Sequence, residues 1–135
     1  MSASLRYLLL LVGLVFVGGV ASIMVQHHQS TRRAETTAAQ LTGGDFRAGR
    51  QAILRRGCGA CHEIPGIPGA RGRVGPPLDG FARRGEIAGR LPNDPASLIL
   101  WLRHPQQVSP GNGMPDQRIG EREGRDIAAY LYTLQ

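Results

Sequence analysis

Residues 58–62 read Cys58-Gly59-Ala60-Cys61-His62 and contain the only two cysteines of the 135-residue chain. A C-x-x-C-H run is the attachment signature of a c-type haem. The spacing has a chemical reason. Each thiol can add across one vinyl group of a single porphyrin, and an imidazole on the next residue can then swing under the iron. Histidine is a standard proximal ligand, and covalent linkage keeps the cofactor from being lost. The same residue types also serve as a redox dithiol, a structural zinc corner or a disulfide. A thioredoxin-type dithiol sits beside a βαβ pattern, which this region lacks. A structural zinc site needs four ligands, and downstream of His62 only His104 remains. Haem is the leading reading, and the other three stand as alternatives.

An iron held by His62 needs a sixth ligand or an open position. Met1 and Met24 belong to the amino-terminal segment, which leaves Met114 as the one methionine available. It sits in Gly113-Met114-Pro115, a loop context suited to an inward-facing side chain. A lone methionine often only fills a core. His104 competes as a ligand, but its place between Arg103 and Pro105 suggests a superficial residue. Met114 is therefore the expected sixth ligand, and a His/Met pair closes the iron and raises its reduction potential.

Three helices are expected to position these groups. Asp45 can cap a helix running through Phe46, Gly49, Ile53 and Leu54 to Arg56, with Gly57 as its stop. Gly49 is costly inside that helix unless something approaches the backbone closely. A second helix is expected over 96–103, begun after Asp94-Pro95 and ended before Pro105. Ile127, Tyr130, Leu131 and Leu134 recur at helical spacing, which predicts a third helix over 118–134. No segment alternates as a strand does, so an all-α domain threaded by Gly/Pro loops is predicted for residues 45–135.

Upstream, the 25 residues between Arg6 and Arg32 contain no charged side chain, and Tyr7 to Val25 is almost wholly apolar. Nineteen residues at helical rise span about 28 Å, close to the hydrocarbon thickness of a bilayer. A cleaved secretory signal is the rival, with small residues at Gly19-Val20-Ala21 for processing. Ile23-Met24-Val25 prolongs the apolar run past that point, which favours an uncleaved anchor over residues 1–25. Residues 26–44, rich in Gln, Ser, Thr and Ala and ending in Gly43-Gly44, are expected to be a flexible linker reaching about 25 Å. His27 and His28 in it are expected to be interfacial polar residues rather than ligands.

The formal charge of +6 comes from arginine alone, since the chain has no lysine. Such an excess suits acidic partners or an anionic membrane. Nucleic acid is the weaker partner, because aromatics are few and no basic run exceeds two residues.

These residues together carry a resemblance. The capped helix with Gly49, the Cys58-x-x-Cys61-His62 run, Gly75-Pro76-Pro77-Leu78, Met114-Pro115 and a last helix with Tyr130 make the region from Gly44 to Gln135 similar to a class I cytochrome c domain. The resemblance implies that fold with one covalent haem c, preceded here by a single transmembrane helix. It also implies that Gly49 touches the last helix's aromatic residue, that Pro76 offers its carbonyl to His62, and that Leu78 packs on the haem face. Leu91-Pro92-Asn93-Asp94-Pro95, Trp101-Leu102-Arg103, Pro105-Gln106, Pro110-Gly111 and Met114-Pro115 resemble the cytochrome c domain fused to subunit II of caa-type cytochrome oxidases. This chain departs from that subunit in having no cysteine pair for a binuclear copper site and one apolar span in place of two. A separate tethered electron donor is therefore expected. The indole of Trp101 can donate to a haem propionate or simply pack in the core.

Haem attachment of this kind takes place outside the bacterial cytoplasm, which predicts an inner-membrane anchor over residues 7–25 and a haem domain on the periplasmic or outer face. The predicted activity is single-electron transfer with no small-molecule substrate, toward redox proteins such as a cytochrome oxidase or a quinol-oxidising complex. Cofactor contacts are expected from Cys58, Cys61, His62, Pro76, Leu78, Trp101 and Met114, with His62 and Met114 on the metal. Arg55, Arg56, Arg71 and Arg73 are expected to steer an acidic partner. The alternative is the haem subunit of a periplasmic dehydrogenase, or a peroxidase with an open iron site.

Overall fold

The computed structural model describes residues 2–135, which form two compact units, one up to Arg33 and one from Ala34 to Gln135. The first unit is helical from Ala3 onward. Helix α1 (Ala3–Thr42) carries an apolar stretch of mean hydropathy 2.7 with none of it buried, long and apolar enough to cross a membrane.

The helix does not end with the apolar run. Residues 26–42, expected as a coil, are helical, and the second unit begins eleven residues before the predicted domain start at Asp45. The physical reason lies in the local sequence. Nothing between Val20 and Gly43 breaks a helix, and Ala34, Glu35, Ala38, Ala39, Gln40 and Leu41 are good helix formers. Ala38, 1% exposed, and Thr42 are buried within the second unit, so packing adds to propensity. Gly43, at φ +67°, then stops the helix, while Thr42 Oγ1 donates to the Ala38 carbonyl at 2.7 Å and accepts from Gly44 N–H at 3.1 Å.

Helix α2 (Phe46–Arg55) starts where Asp45 Oδ1 accepts from Ala48 N–H at 2.7 Å and stops at Gly57, φ +67°. It crosses α5 (Glu121–Leu131) at Gly49. A Cβ there would overlap the Asp126 carbonyl, so only glycine lets the two backbones meet. The nearest neighbours of that missing Cβ are main-chain atoms of Asp126 and Ile127.

Helix α5 is shorter at both ends than expected. Arg118 adopts φ +52° and Gly120 is extended, which delays the start, and Tyr132 caps the end. Helix α3 (Pro95–Arg103) follows an Asp94 cap whose carboxylate accepts from Ser97 N–H at 2.8 Å and Ser97 Oγ at 2.9 Å. Those bonds, the backbone one foremost, hold the Asp94 carboxyl below its ordinary range. A one-turn α4 (Pro105–Val108) and a two-residue antiparallel ladder, β1 (Glu86–Ile87) with β2 (Leu91–Pro92), escaped the sequence reading because both are too short for a periodic signal. The domain is helix-rich. Its core joins Ile53, Leu98, Leu102, Ile127 and Leu131 from α2, α3 and α5.

Candidate functional site

The C-x-x-C-H run follows α2 directly. Gly57 turns the chain, Cys58–Ala60 form a single 3₁₀ turn, and His62 N–H donates to the Cys58 carbonyl at 3.0 Å. The two cysteines are not joined by a disulfide. Burial pushes the Cys58 thiol up from its ordinary pKa, against a smaller downward pull from Arg56.

The residues after the motif fold back over it. Gly72 N–H donates to Gly59 O at 3.0 Å, Gly75 N–H to Cys61 O at 2.8 Å, and Leu78 N–H to Glu63 O at 2.8 Å. This lacing puts the Pro76 carbonyl 2.7 Å from His62 Nδ1. A carbonyl only accepts, so Nδ1 carries a proton, and in the neutral imidazole the lone pair for a metal is then at Nε2. A Cβ on Gly75 would fall on the His62 ring, so glycine is required there for the imidazole to lie flat against the loop.

Every residue singled out in the sequence for cofactor contact, from Cys58, Cys61 and His62 through Pro76 and Leu78 to Trp101 and Met114, lines one cavity of about 370 Å³. That is within the range of small-molecule and cofactor sites, about 300–1,000 Å³. Ile53, Ile127 and Leu131 close its floor, and His104 is not among its lining residues. Val74, at its wall, is 77% exposed, an apolar side chain turned to solvent beside the cavity.

Three features of the cavity wall were not legible in the sequence. Arg56 donates to both carboxylate oxygens of Glu123, at 3.1 and 2.5 Å, and to the Gln117 carbonyl at 2.9 Å. The fork pins the end of α2 to α5 and to the methionine loop. Hydrogen bonding within that pair raises the Arg56 pKa and lowers that of Glu123. Arg56 is thus engaged in an internal ion pair, and Arg55 Nη2 lies 3.9 Å from the same Glu123 carboxylate. Arg84 donates to the carbonyls of Pro77 and Asp79, and its guanidinium lies 5.5 Å from the Phe81 ring centre. The third feature is a pair of amides around Met114. Gln106 Nε2 donates to the Met114 carbonyl at 2.7 Å, and Met114 N–H donates to Asn112 Oδ1 at 2.7 Å.

The loop that carries Phe81 and Arg84 is held from behind by Asn93. Its Nδ2 donates to the Phe81 and Arg84 carbonyls, each at 2.9 Å, while Oδ1 accepts from Tyr132 OH at 2.9 Å. Burial, helped by the Asp94 charge, pushes the Tyr132 pKa up to about 12. A phenol whose folded pKa lies above the ordinary value of about 10 stabilises the fold fully below that value and loses its contribution as pH rises toward 12. Tyr132→Phe is therefore expected to flatten the alkaline fall in stability between roughly pH 10 and 12, read by denaturant melts across that window. An unchanged slope would refute the assignment.

A family model described as cytochrome c matches residues 46–135. The chain belongs to the cytochrome c family. Cytochromes c of this family bind haem c covalently through cysteines, and this chain has two. It is 38% identical to cytochrome c oxidase subunit 2 of Bacillus sp. (strain PS3) over 89 residues, 63% of this chain and 25% of that protein. The chain thus spans about a quarter of the length of that relative. It is 36% identical to cytochrome c2 of Rhodoblastus acidophilus over 101 residues, 65% of this chain and 91% of the relative. No solved structure matches it significantly.

The cavity fits the family's cofactor. It places two unpaired thiols beside an imidazole whose outer nitrogen is fixed by a carbonyl, and it adds a thioether from a separate loop. Among the described residues no cluster of three or more His, Cys, Asp or Glu could hold a metal ion on its own, so a bare zinc corner has no support. When bound, haem c supplies a one-electron iron couple. The chain's residues supply the rest of the site: thiols to anchor, an oriented imidazole, and an apolar wall that keeps water away.

Proposed function

We propose that this chain is a membrane-tethered monohaem cytochrome c that carries single electrons. Cys58 and Cys61 provide the two thioether links, His62 and Met114 the axial ligands. Pro76 fixes the imidazole through its carbonyl, and Leu78 and Trp101 pack against the cofactor. The observation that carries this reading is the convergence of Cys58, Cys61, His62 and Met114 on one apolar cavity, with His62 Nε2 left free by the 2.7 Å bond at Nδ1. Two filled axial positions leave no place for a substrate, which separates an electron carrier from a peroxidase or an open-site dehydrogenase subunit.

Residues 7–25 serve as the anchor, in a bacterial inner membrane, and the haem domain works on the periplasmic or outer face. The exposed apolar run of α1 supports the anchor, and the requirement of covalent haem attachment supports the side. The partner is a redox protein. Similarity to a cytochrome c oxidase subunit 2 favours a terminal oxidase over a quinol-oxidising complex. Arg55, Arg71 and Arg73 provide positive charge near the motif for an acidic docking face.

The test is ligand access in the haem-loaded protein. A closed carrier is expected to be low-spin in both oxidation states, to refuse carbon monoxide when reduced, and to take an outside ligand when ferric only slowly, by displacing the sulfur. A high-spin ferric spectrum with ready cyanide binding would replace this reading with the catalytic one.

A further inference from the structure

We propose that Gln106 and Asn112 are positioning residues for Met114, two side-chain amides that bracket its peptide and hold its thioether in the cavity against exchange by an outside ligand. The proposal rests on the reading of Met114 as the sixth ligand.

From Ser109 to Gly120 the chain has no helix or strand. A loop of that length costs conformational entropy to fix, and a ligand on it would be easily released. Here the loop is held at the ligand residue itself. Met114 N–H donates to Asn112 Oδ1 at 2.7 Å, and its carbonyl accepts from Gln106 Nε2 at 2.7 Å. The same Nε2 donates to the Asn112 carbonyl at 2.9 Å, and Gln106 Oε1 accepts from Gly111 N–H at 3.0 Å. Asn112 Nδ2 donates to the carbonyls of Pro105 and Ser109, at 2.9 and 2.6 Å. Both amides therefore use both N–H donors and an acceptor, which leaves neither with a competing partner to seek.

The bracket has a fixed base. Gln106 lies on α4, whose first residue, Pro105, is fully buried, and His104 N–H continues the α3 ladder to Leu100 O at 2.8 Å. Gly111, at φ +79°, makes the reversal that brings its N–H to Gln106. The connection thus runs from the α3 end through Gln106 to the peptide of Met114. Elsewhere, comparable amide bonding is structural. Asn93 holds the loop of Phe81 and Arg84 in the same style, yet bonds no residue singled out as a ligand.

The experiment titrates ferric holoprotein with imidazole and follows the sulfur-to-iron charge-transfer band. Gln106→Glu keeps the size of the side chain but replaces both N–H donors with carboxylate oxygens facing two carbonyls. Asn112→Asp keeps the acceptor for Met114 N–H and loses the donors to Pro105 and Ser109. Each is expected to let imidazole displace the thioether at about tenfold lower concentration than wild type, the effect of losing one or two buried hydrogen bonds. Tyr132→Phe, which breaks a bond of the Asn93 system, is expected to leave that titration unchanged. A wild-type imidazole titration in Gln106→Glu and Asn112→Asp would overturn the bracket, as would an equal shift in Tyr132→Phe. Met114→Leu separates this from the underlying reading. If the band survives that substitution, the ligand assignment itself is wrong. If the band is lost there while the amide variants match wild type, only the bracket fails.

Discussion

Met114→Leu is expected to leave a folded, haem-bearing protein that has lost the sulfur-to-iron charge-transfer band, binds carbon monoxide when reduced, and has a lower reduction potential. Leucine fills nearly the same volume, so the apolar wall survives and a gross folding defect is not the cause. What disappears is the thioether, and with it the ligand that favours the ferrous state. Axial ligation spans about 0.8 V across haem proteins, so a fall on the order of 100 mV or more is expected. Potentiometric titration with the optical spectrum as readout measures both changes together. A potential and band equal to wild type would mean that another side chain closes the iron. His104 is the residue that the sequence offers for that role, but it does not line the cavity.

Gly49→Ala is expected to be the most damaging single substitution outside the cavity. Its Cβ would overlap the Asp126 carbonyl at the crossing of α2 and α5, and backbone at that point cannot rotate aside as a side chain can. Separating the helices would also loosen Ile53 from Ile127, both fully buried. Overpacking of a core typically costs about 1–3 kcal/mol, and a clash with main chain belongs at or above the upper end. A denaturant melt is expected to show a loss of at least about 3 kcal/mol, enough to endanger a domain of ordinary marginal stability. By contrast, alanine at Gly85, whose missing Cβ has no neighbour within 4 Å, should change little. A small loss at Gly49 would mean that α2 can slide on α5, and the cavity floor would not be as fixed as its packing indicates.

The two substitutions divide the molecule into what was legible in the sequence and what was not. The C-x-x-C-H run, the cap at Asp45, the stop at Gly57 and, to within one residue, the start of α3 beside Asp94-Pro95 are local. Each depends on residues within a turn of one another, and each stands where the sequence placed it. Gly49 was legible as a site of close approach, but its neighbour was not. Nothing in the sequence says that main chain at Asp126 and Ile127 would lie against it. Residues 26–42 were misjudged because their polar composition looks like a linker, while their helix propensity and the burial of Ala38 and Thr42 decide the outcome.

The candidate site divides in the same way. Met114 could be singled out as a candidate by elimination, since the chain offers so few methionines. The amides of Gln106 and Asn112 could not, because a side-chain amide on a one-turn helix or a loop can face water, a neighbour or the ligand peptide with equal ease. Only the reversal at Gly111 and the anchored turn at Pro105 determine which. The ion pair of Arg56 was hidden for a related reason: an arginine two residues before the first cysteine looks like surface charge until Glu123 of α5 is seen across from it.

The central claim is that Cys58 and Cys61 hold one haem covalently in this cavity. The most direct measurement is a pyridine haemochrome spectrum of the full chain, produced together with haem-attachment machinery and extracted with acidified organic solvent beforehand. The account predicts a c-type spectrum retained on the polypeptide at one haem per chain, and its loss from the polypeptide when both cysteines are replaced by serine. A chain without haem, or haem that washes out on extraction, would contradict it.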